Sequence, residues 1–249
     1  MEKVNVIIMA GGIGKRMNST LPKVLHKVNN IPMIVRVINT VCELNLNKIF
    51  IVVGSFKDEI KNIIEQYVKV EDRNIIEYIL QKEPLGTGNA IQCCYNNLLM
   101  YHKYRTFILS GDVPLIKKDT LINMIKLNST AIILTAEVDN PLGYGRIIKR
   151  DNKFYEIKEE KDCNNIERTI YQVNSGIYLI HSGNIIGNIM YIDNNNNQKE
   201  YYLTDIFKLL ESKNIDIQLY NLNKELSYQI LGVNTLEQLQ QLENLEELQ

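Results

Sequence analysis

The stretch VNVIIMAGGIGKRMNSTLPKVL, residues 4–25, decides how the rest of the chain is read. Val4 to Met9 is an unbroken apolar run of the length expected for a strand buried on both faces. The chain then turns through Ala10-Gly11-Gly12-Ile13-Gly14 and presents Lys15, Arg16 and Lys23. Glycines let backbone N–H groups approach an anion with no Cβ in the way. Successive N–H groups in such a turn form an anion-binding concavity. Arg offers phosphate oxygens a bidentate fork, and Lys offers a point charge. The pattern reads as a loop that wraps a nucleoside triphosphate; a plain tight turn is the alternative. A P-loop is excluded, since no Gly-Lys-Ser/Thr follows at the required spacing. The dinucleotide-binding fingerprint also fails, because Met17 stands where its last Gly is needed.

Outward from this loop, apolar segments alternate between two periods. Strand-like runs are Ile49 to Val53, Ile75 to Leu80, Thr106 to Leu109 and Ala131 to Val138. Helical spacing follows Pro32, covers Asp58 to Val68 with Ile60, Ile63, Ile64 and Tyr67 on its apolar side, and returns at Gly88 to Tyr101 and Thr120 to Leu127. Such alternation predicts βαβ units and a mostly parallel α/β sheet with its ligands at the carboxyl ends of the strands. From Gly143 onward the strands shorten: Arg146 to Lys149, Phe154 to Lys158 and Tyr171 to Ile180 suggest a small β subregion set against the main sheet. Ile185 to Ile192 and Tyr202 to Ser212 read as helical, and Ile215 to Leu222 as another strand. The tail from Thr235 carries Leu236, Leu239, Leu242 and Leu245, the pattern of an amphipathic helix that caps the domain or forms a homodimer contact.

With 28 Lys and Arg against 29 Asp and Glu, the 249-residue chain lacks the basic excess of a nucleic-acid-coating protein. No apolar run approaches the ~20 residues of a membrane-spanning helix. Cys42, Cys93, Cys94 and Cys163 form no CxxC pair, which suggests reduced thiols and a cytoplasmic location.

Several side chains invite chemistry. Gln81 ends a strand and offers one acceptor and two donors, a match for the edge of a pyrimidine; Gly86-Thr87-Gly88 lets backbone come near a flat ring. Asp112, in Ser110-Gly111-Asp112-Val113-Pro114-Leu115, is a hard oxygen ligand at a strand end, of the kind Mg²⁺ takes together with substrate phosphates. A turn-capping Asp is the alternative. Asn234 alone reads as a helix N-cap, and Lys23 alone as a solvated charge. Glu159 and Glu160 are chemically equivalent hydrogen-bond acceptors.

Gly12, Gly14, Arg16, Met17 and Leu21-Pro22-Lys23-Val24-Leu25-His26 together resemble the signature of sugar-nucleotide pyrophosphorylases. The nearest likeness is the uridyltransferase half of bacterial N-acetylglucosamine-1-phosphate uridyltransferases. Leu85-Gly86-Thr87-Gly88-Asn89-Ala90, Gly143-Tyr144-Gly145-Arg146-Ile147, Val173-Asn174-Ser175-Gly176 and Glu200-Tyr201-Tyr202-Leu203-Thr204-Asp205 extend the resemblance over most of the chain. It departs at Ala10-Gly11-Gly12 and Gly14-Lys15-Arg16, where the family usually has Ala-Ala-Gly and Gly-Thr-Arg. The resemblance implies a Rossmann-like, mostly parallel sheet flanked by helices, of the nucleotide-diphospho-sugar transferase type. It implies one nucleotidyltransferase domain over residues 1–249: mainly nucleotide-binding over 1–140, mainly sugar-binding over 141–230, with a C-terminal helix over 234–249. Arg16, Lys23 and Asp112 would be catalytic. Ala10, Gly11, Gly12, Gly14, Gln81, Gly86 and Thr87 would hold the nucleotide; Gly145, Glu159, Asn174 and Thr204 would hold the sugar; Asp112 and Asn234 would hold Mg²⁺. The spacing to Lys161-Asp162 favours Glu159 over Glu160. The implied reaction joins UTP and N-acetylglucosamine 1-phosphate, with transfer to glucose 1-phosphate, a cytidylyl transfer or a non-catalytic sensor as alternatives. No hexapeptide repeat is present, so the acetyltransferase β-helix half of the bifunctional bacterial enzymes is expected to be absent.

Overall fold

The computed structural model describes residues 2–12, 14–17 and 19–247; Ile13 of the glycine turn and the side chain of Lys15 lie outside what is described. In chain order the strands are β1 (Val4–Ala10), β2 (Lys27–Val28), β3 (Ile31–Pro32), β4 (Leu46–Val53), β5 (Ile76–Leu80), β6 (Arg105–Ser110), β7 (Ala131–Glu137), β8 (Arg146–Arg150), β9 (Lys153–Lys158), β10 (Gln172–His181) and β11 (Ile217–Leu222). The helices are α1 (Met33–Cys42), α2 (Lys57–Tyr67), α3 (Val70–Arg73), α4 (Thr87–Cys93), α5 (Tyr95–Leu99), α6 (Lys118–Lys126), α7 (Ser182–Ile186), α8 (Asp205–Ser212) and α9 (Leu236–Glu247).

The main sheet runs β11-β7-β10-β6-β1-β4-β5. Its neighbours are parallel except β10, which is antiparallel to both β6 and β7. Alternation along β1 sorts its side chains to two faces. Val6 and Ile8 join a core with Ile34 and Ile38 of α1, Ile64 of α2 and Met124 of α6. Ile7 joins a second core with Ile91 of α4, Leu98 of α5, Ile185 of α7 and Phe207 of α8. Helices therefore cover both faces, which is why β1 is apolar at nearly every position. Each such side chain contributes about 1.5–3 kcal/mol on burial.

Several boundaries differ from the sequence expectation for physical reasons. The strand expected in the separate β subregion, here β10, runs through the middle of the main sheet; only the β8–β9 hairpin stands off it. The Gly88 to Tyr101 helix breaks at Cys94, which is fully buried and whose N–H turns back to the Ile91 carbonyl at 2.9 Å. The Ile185 to Ile192 helix ends at Gly187. Helix α8 starts late because residues 201–203 are tied to the loop before α4. Gly88 N–H donates to Tyr201 O at 2.7 Å, Tyr201 N–H to Leu85 O at 2.8 Å, and Leu203 N–H to the Thr87 hydroxyl at 3.1 Å. Tyr67, expected on the apolar side of α2, is 40% exposed, with the Lys27 ammonium over its ring. In α9, Leu242 is buried and Leu239 half-buried against Met17 and Val233, whereas Leu236 and Leu245 face outward.

The register aligns the carboxyl ends of four strands. Ala10 pairs with Val53, Val53 with Leu80, and Met9 with Ser110. Gly11, Gly54, Gln81 and Gly111 thus emerge side by side. The glycines before α4 serve packing as much as ligand access. A Cβ on Gly88 would lie 2.2 Å from Ile192 Cδ1 and 2.9 Å from Tyr201 O. Gly88→Ala is therefore expected to lower stability by about 1–3 kcal/mol through overpacking, read as a lower urea midpoint.

Candidate active site

Two cavities open at this aligned edge and meet at Asp112. The first, of about 350 Å³, is lined by Ala10, Gly11, Gly12, Lys23, Gln81, Gly86, Thr87 and Asp112, with Ser110 and Glu200. The second, of about 300 Å³, is lined by Gly145, Glu159, Asn174, Thr204 and Asn234, with Tyr144 and Ser175; it shares Met9, Thr87, Ser110 and Asp112 with the first. Arg16 stands at a third opening, where Glu159 and Gly143 connect to the surface. Of the residues expected to be catalytic or to hold nucleotide, sugar or metal, all but Gly14 border one of these spaces; Gly88 packs behind the first, and the Lys15 side chain lies outside the described residues. Gly14 has φ +69, and a Cβ there would lie 2.6 Å from Lys23 Cβ. Gly14 thus sets the root of Lys23 rather than a cavity wall.

Asp112 follows β6, with the adjoining Gly111 N–H donating to Met9 O at 2.9 Å. Its carboxylate accepts from the Lys23 ammonium on Oδ2 and from the Ser110 hydroxyl on Oδ1 at 2.5 Å. Val233 N–H donates to the Asp112 carbonyl at 3.0 Å and so delivers Asn234 from 122 residues further along the chain (234 − 112). Asn234 Oδ1 accepts from Lys23 Nζ at 3.2 Å and from Arg16 Nη2 at 3.0 Å. The side-chain cap of α9 is instead Thr235, whose Oγ1 accepts from Gln238 N–H at 3.3 Å. Two hard oxygen acceptors therefore converge on a point that already attracts an ammonium. This donor set fits Mg²⁺, which takes one or two protein oxygens and completes its shell with water and substrate phosphate. Among the described residues no group of three or more His, Cys, Asp or Glu could hold a metal alone, so such a site needs its substrate.

Gln81 is 7% exposed and fixed in one orientation. Its Nε2 donates to the Gly86 carbonyl at 3.1 Å and to Asn89 Oδ1 at 2.9 Å. A carbonyl can only accept, so Nε2 is identified by chemistry. Oε1 is left beside Gly11, where a Cβ would come within 2.7 Å of it.

In the second cavity, β10 carries a bulge: Asn174 pairs with Thr135 but Tyr178 with Ile133, leaving two extra residues around Gly176 at φ +75. The bulge re-aims Asn174 and Ser175 toward the cleft. Asn174 Nδ2 donates to the Tyr178 hydroxyl at 2.7 Å. The Thr204 hydroxyl donates to Glu159 Oε1 at 2.8 Å. Glu160 is committed elsewhere, accepting from buried Arg146 at 2.7 Å, from Arg168 at 3.4 Å and from Gly143 N–H at 3.3 Å. Burial pushes the Glu160 carboxyl up, yet Arg146, Gly143 and Arg168 outweigh it and hold the group below its ordinary value. For Glu159, burial pushes the carboxyl up, the Thr204 hydroxyl pulls it down, and Asp205, Asp162 and Glu200 push it up again; the net direction is upward. Asp205 is raised to about 6 by burial and by Asp193. Sequence reasoning gave no separate role to Ser110, two residues before Asp112, or to Asn89 and Tyr178, which hold Gln81 and Asn174. Ser110 and Asn89 lie inside the motifs quoted; Tyr178, four residues beyond Asn174, carries no local signal.

Residues 6–167 match the MobA-like NTP transferase domain. The chain is 44% identical, over 98% of its length and 96% of the relative's, to a protein of Acanthamoeba polyphaga mimivirus described as a probable UDP-N-acetylglucosamine pyrophosphorylase. It is 37% identical to the bifunctional protein GlmU of Clostridium botulinum and 40% identical to that of Thermosipho melanesiensis, over 96% of this chain in each case. The chain spans about half the length of these bifunctional relatives, 51% and 50%. A solved UDP-glucose pyrophosphorylase in complex with UDP-glucose superposes with a TM-score of 0.75 at 17% identity, covering 99% of both chains, a likeness of fold.

Glu159 also yields a stability test. A carboxyl raised in the folded state contributes stability fully below its unfolded pKa and loses it as pH rises through the folded value. Glu159→Gln keeps an acceptor for Thr204 and removes the charge. The variant is expected to melt above the parent at pH 8, with the gap closing toward pH 4; a parent at least as stable at pH 8 would contradict the burial argument.

Proposed function

The chain belongs to the MobA-like NTP transferase family and is a nucleotidyltransferase, and from that premise we propose that it transfers UMP from UTP to N-acetylglucosamine 1-phosphate and releases pyrophosphate. The observation that carries this reading is the meeting of the two cavities at Asp112, one beside the glycine loop and one beside Glu159 and Asn174. A triphosphate in the first and a sugar phosphate in the second would bring their phosphates together beside Lys23 and Arg16. Gln81 supports the choice of base. With both its N–H groups engaged, it presents an acceptor, which suits the N3–H of uracil and not the N3 lone pair of cytosine.

The attacking group is an oxygen of the sugar phosphate, and pyrophosphate leaves in line from the α-phosphorus. A phosphate monoester is already largely ionised at neutral pH, so no protein base has to remove a proton. The protein's part is positioning and charge neutralisation. Glycine-loop N–H groups and Lys23 hold the triphosphate, Arg16 offsets charge at the junction, and Ser110 keeps Asp112 in one rotamer. Glu159 and Asn174 orient the sugar. Nucleotidyltransferases of this kind typically use a divalent metal, and we assign Mg²⁺, held by Asp112 and Asn234, the neutralisation of the reacting phosphates.

Pyrophosphate release measured for each pairing of UTP, CTP or dTTP with N-acetylglucosamine, glucose or galactosamine 1-phosphate tests the reading. The highest kcat/KM should fall on UTP with N-acetylglucosamine 1-phosphate; a maximum elsewhere replaces the substrate assignment. Asp112→Asn is expected to lower kcat by about a hundredfold or more with the fold retained, though its melting temperature should drop because Lys23 loses its charge partner. Gly12 offers a cleaner probe, because among the described residues a Cβ there meets no atom within 4 Å and its φ lies outside the left-handed region. Gly12→Ala should fold with stability within about 0.5 kcal/mol of the parent. It should nonetheless bind UTP more weakly, because the new methyl fills space meant for phosphate.

A further inference from the structure

We propose that Lys23 is a built-in stand-in for the divalent cation: in the free protein its ammonium closes the Asp112–Asn234 pair, and the pair admits a metal only when an incoming triphosphate draws that ammonium onto its own oxygens. This rests on the assignment of Asp112 and Asn234 as metal ligands. The ammonium bonds Asp112 Oδ2 and lies 3.2 Å from Asn234 Oδ1, so it fills the point a cation would take between them. Ser110 also bonds Asp112 Oδ1, and Arg16 bonds Asn234 Oδ1. A dication arriving alone would meet two positive charges at the pair.

The pair is sheltered as well. The side chains of Lys23 and Asp112 are 15% and 12% exposed, so water and salt screen their attraction poorly. A bare carboxylate at that depth would be costly, and the lysine removes the cost until substrate comes. The switch has a hinge already in place. Gly14 packs on the Lys23 Cβ, and Leu25 N–H closes onto Pro22 O at 2.9 Å, so backbone and root are fixed. Only the outer carbons of the stem need to swing, and Lys23 already borders the cavity that holds Gly11 and Gly12. Metal and nucleotide uptake are thereby coupled, and the carboxylate exchanges one cation for another without standing unpaired.

Mn²⁺ titrated into the nucleotide-free protein, with free ion counted by electron paramagnetic resonance, tests this directly. The parent should show no site tighter than about millimolar, and Lys23→Met should gain one at least about tenfold tighter. Lys23→Gln repeats the measurement should the methionine variant fail to fold. The double variant Lys23→Met/Asp112→Asn should lose the gained site. Mn²⁺ binding to the parent as tightly as to the Lys23 variants, or no gain in either variant, overturns the stand-in. A gained site that survives Asp112→Asn overturns the metal assignment itself, so the two failures are told apart.

Discussion

A lysine ammonium held between a carboxylate and a carboxamide is the contact on which the candidate site depends. Lys23 comes from the segment after the glycine loop, Asp112 from the end of β6 and Asn234 from the turn before α9. Each partner is fixed by backbone. Gly111 bonds back to β1, Val233 bonds to the Asp112 carbonyl, and the turn after Gly14 packs through Met17 into the same small core as Val233 and Leu242. The C-terminal helix is therefore a clamp on the turn after Gly14 rather than an appendage. Attraction between buried opposite charges is large only when geometry is held, and here three distant segments hold it.

A second constraint joins the two cavities. The loop before α4 and the segment leading into α8 are bonded through Gly88, Tyr201, Leu85 and the Thr87–Leu203 contact. Gly86, at φ +114, allows this approach, since a Cβ there would lie 2.6 Å from Tyr201 O. The wall expected to touch a base is thus built into the wall expected to touch a sugar. Two substrates set against one rigid partition lose their freedom on binding rather than at the reacting step, which is how positioning contributes to rate.

Glu159 lies among acidic neighbours, Asp205, Asp162 and Glu200. The raised carboxyls of Glu159 and Asp205 mark a local cost in stability. Among the described residues Glu159 has no ion-pair partner, whereas Glu160 next to it has Arg146 and Arg168.

How much of this was legible beforehand follows from the range of the forces involved. Local periodicity placed β1, β4, β6 and β7 to within a few residues, and with them the strand ends where Gly11 and Asp112 stand, because burial on both faces leaves apolar runs that no other element explains. The family resemblance singled out Lys23, Asp112 and Glu159, which residue type alone left open. Periodicity could not tell that β10 threads the main sheet antiparallel, since an apolar run carries no sign of its neighbour's direction. It could not foresee the breaks at Cys94 and Gly187 or the late start of α8, which long-range hydrogen bonds impose against local propensity. The amino-acid sequence alone nominated the side chains proposed to bind phosphate, metal and sugar. Only the tertiary structure decided which of them meet, and that Lys23 rests on Asp112 and reaches Asn234, because those contacts span 89 and 211 residues and follow from packing rather than from spacing along the chain.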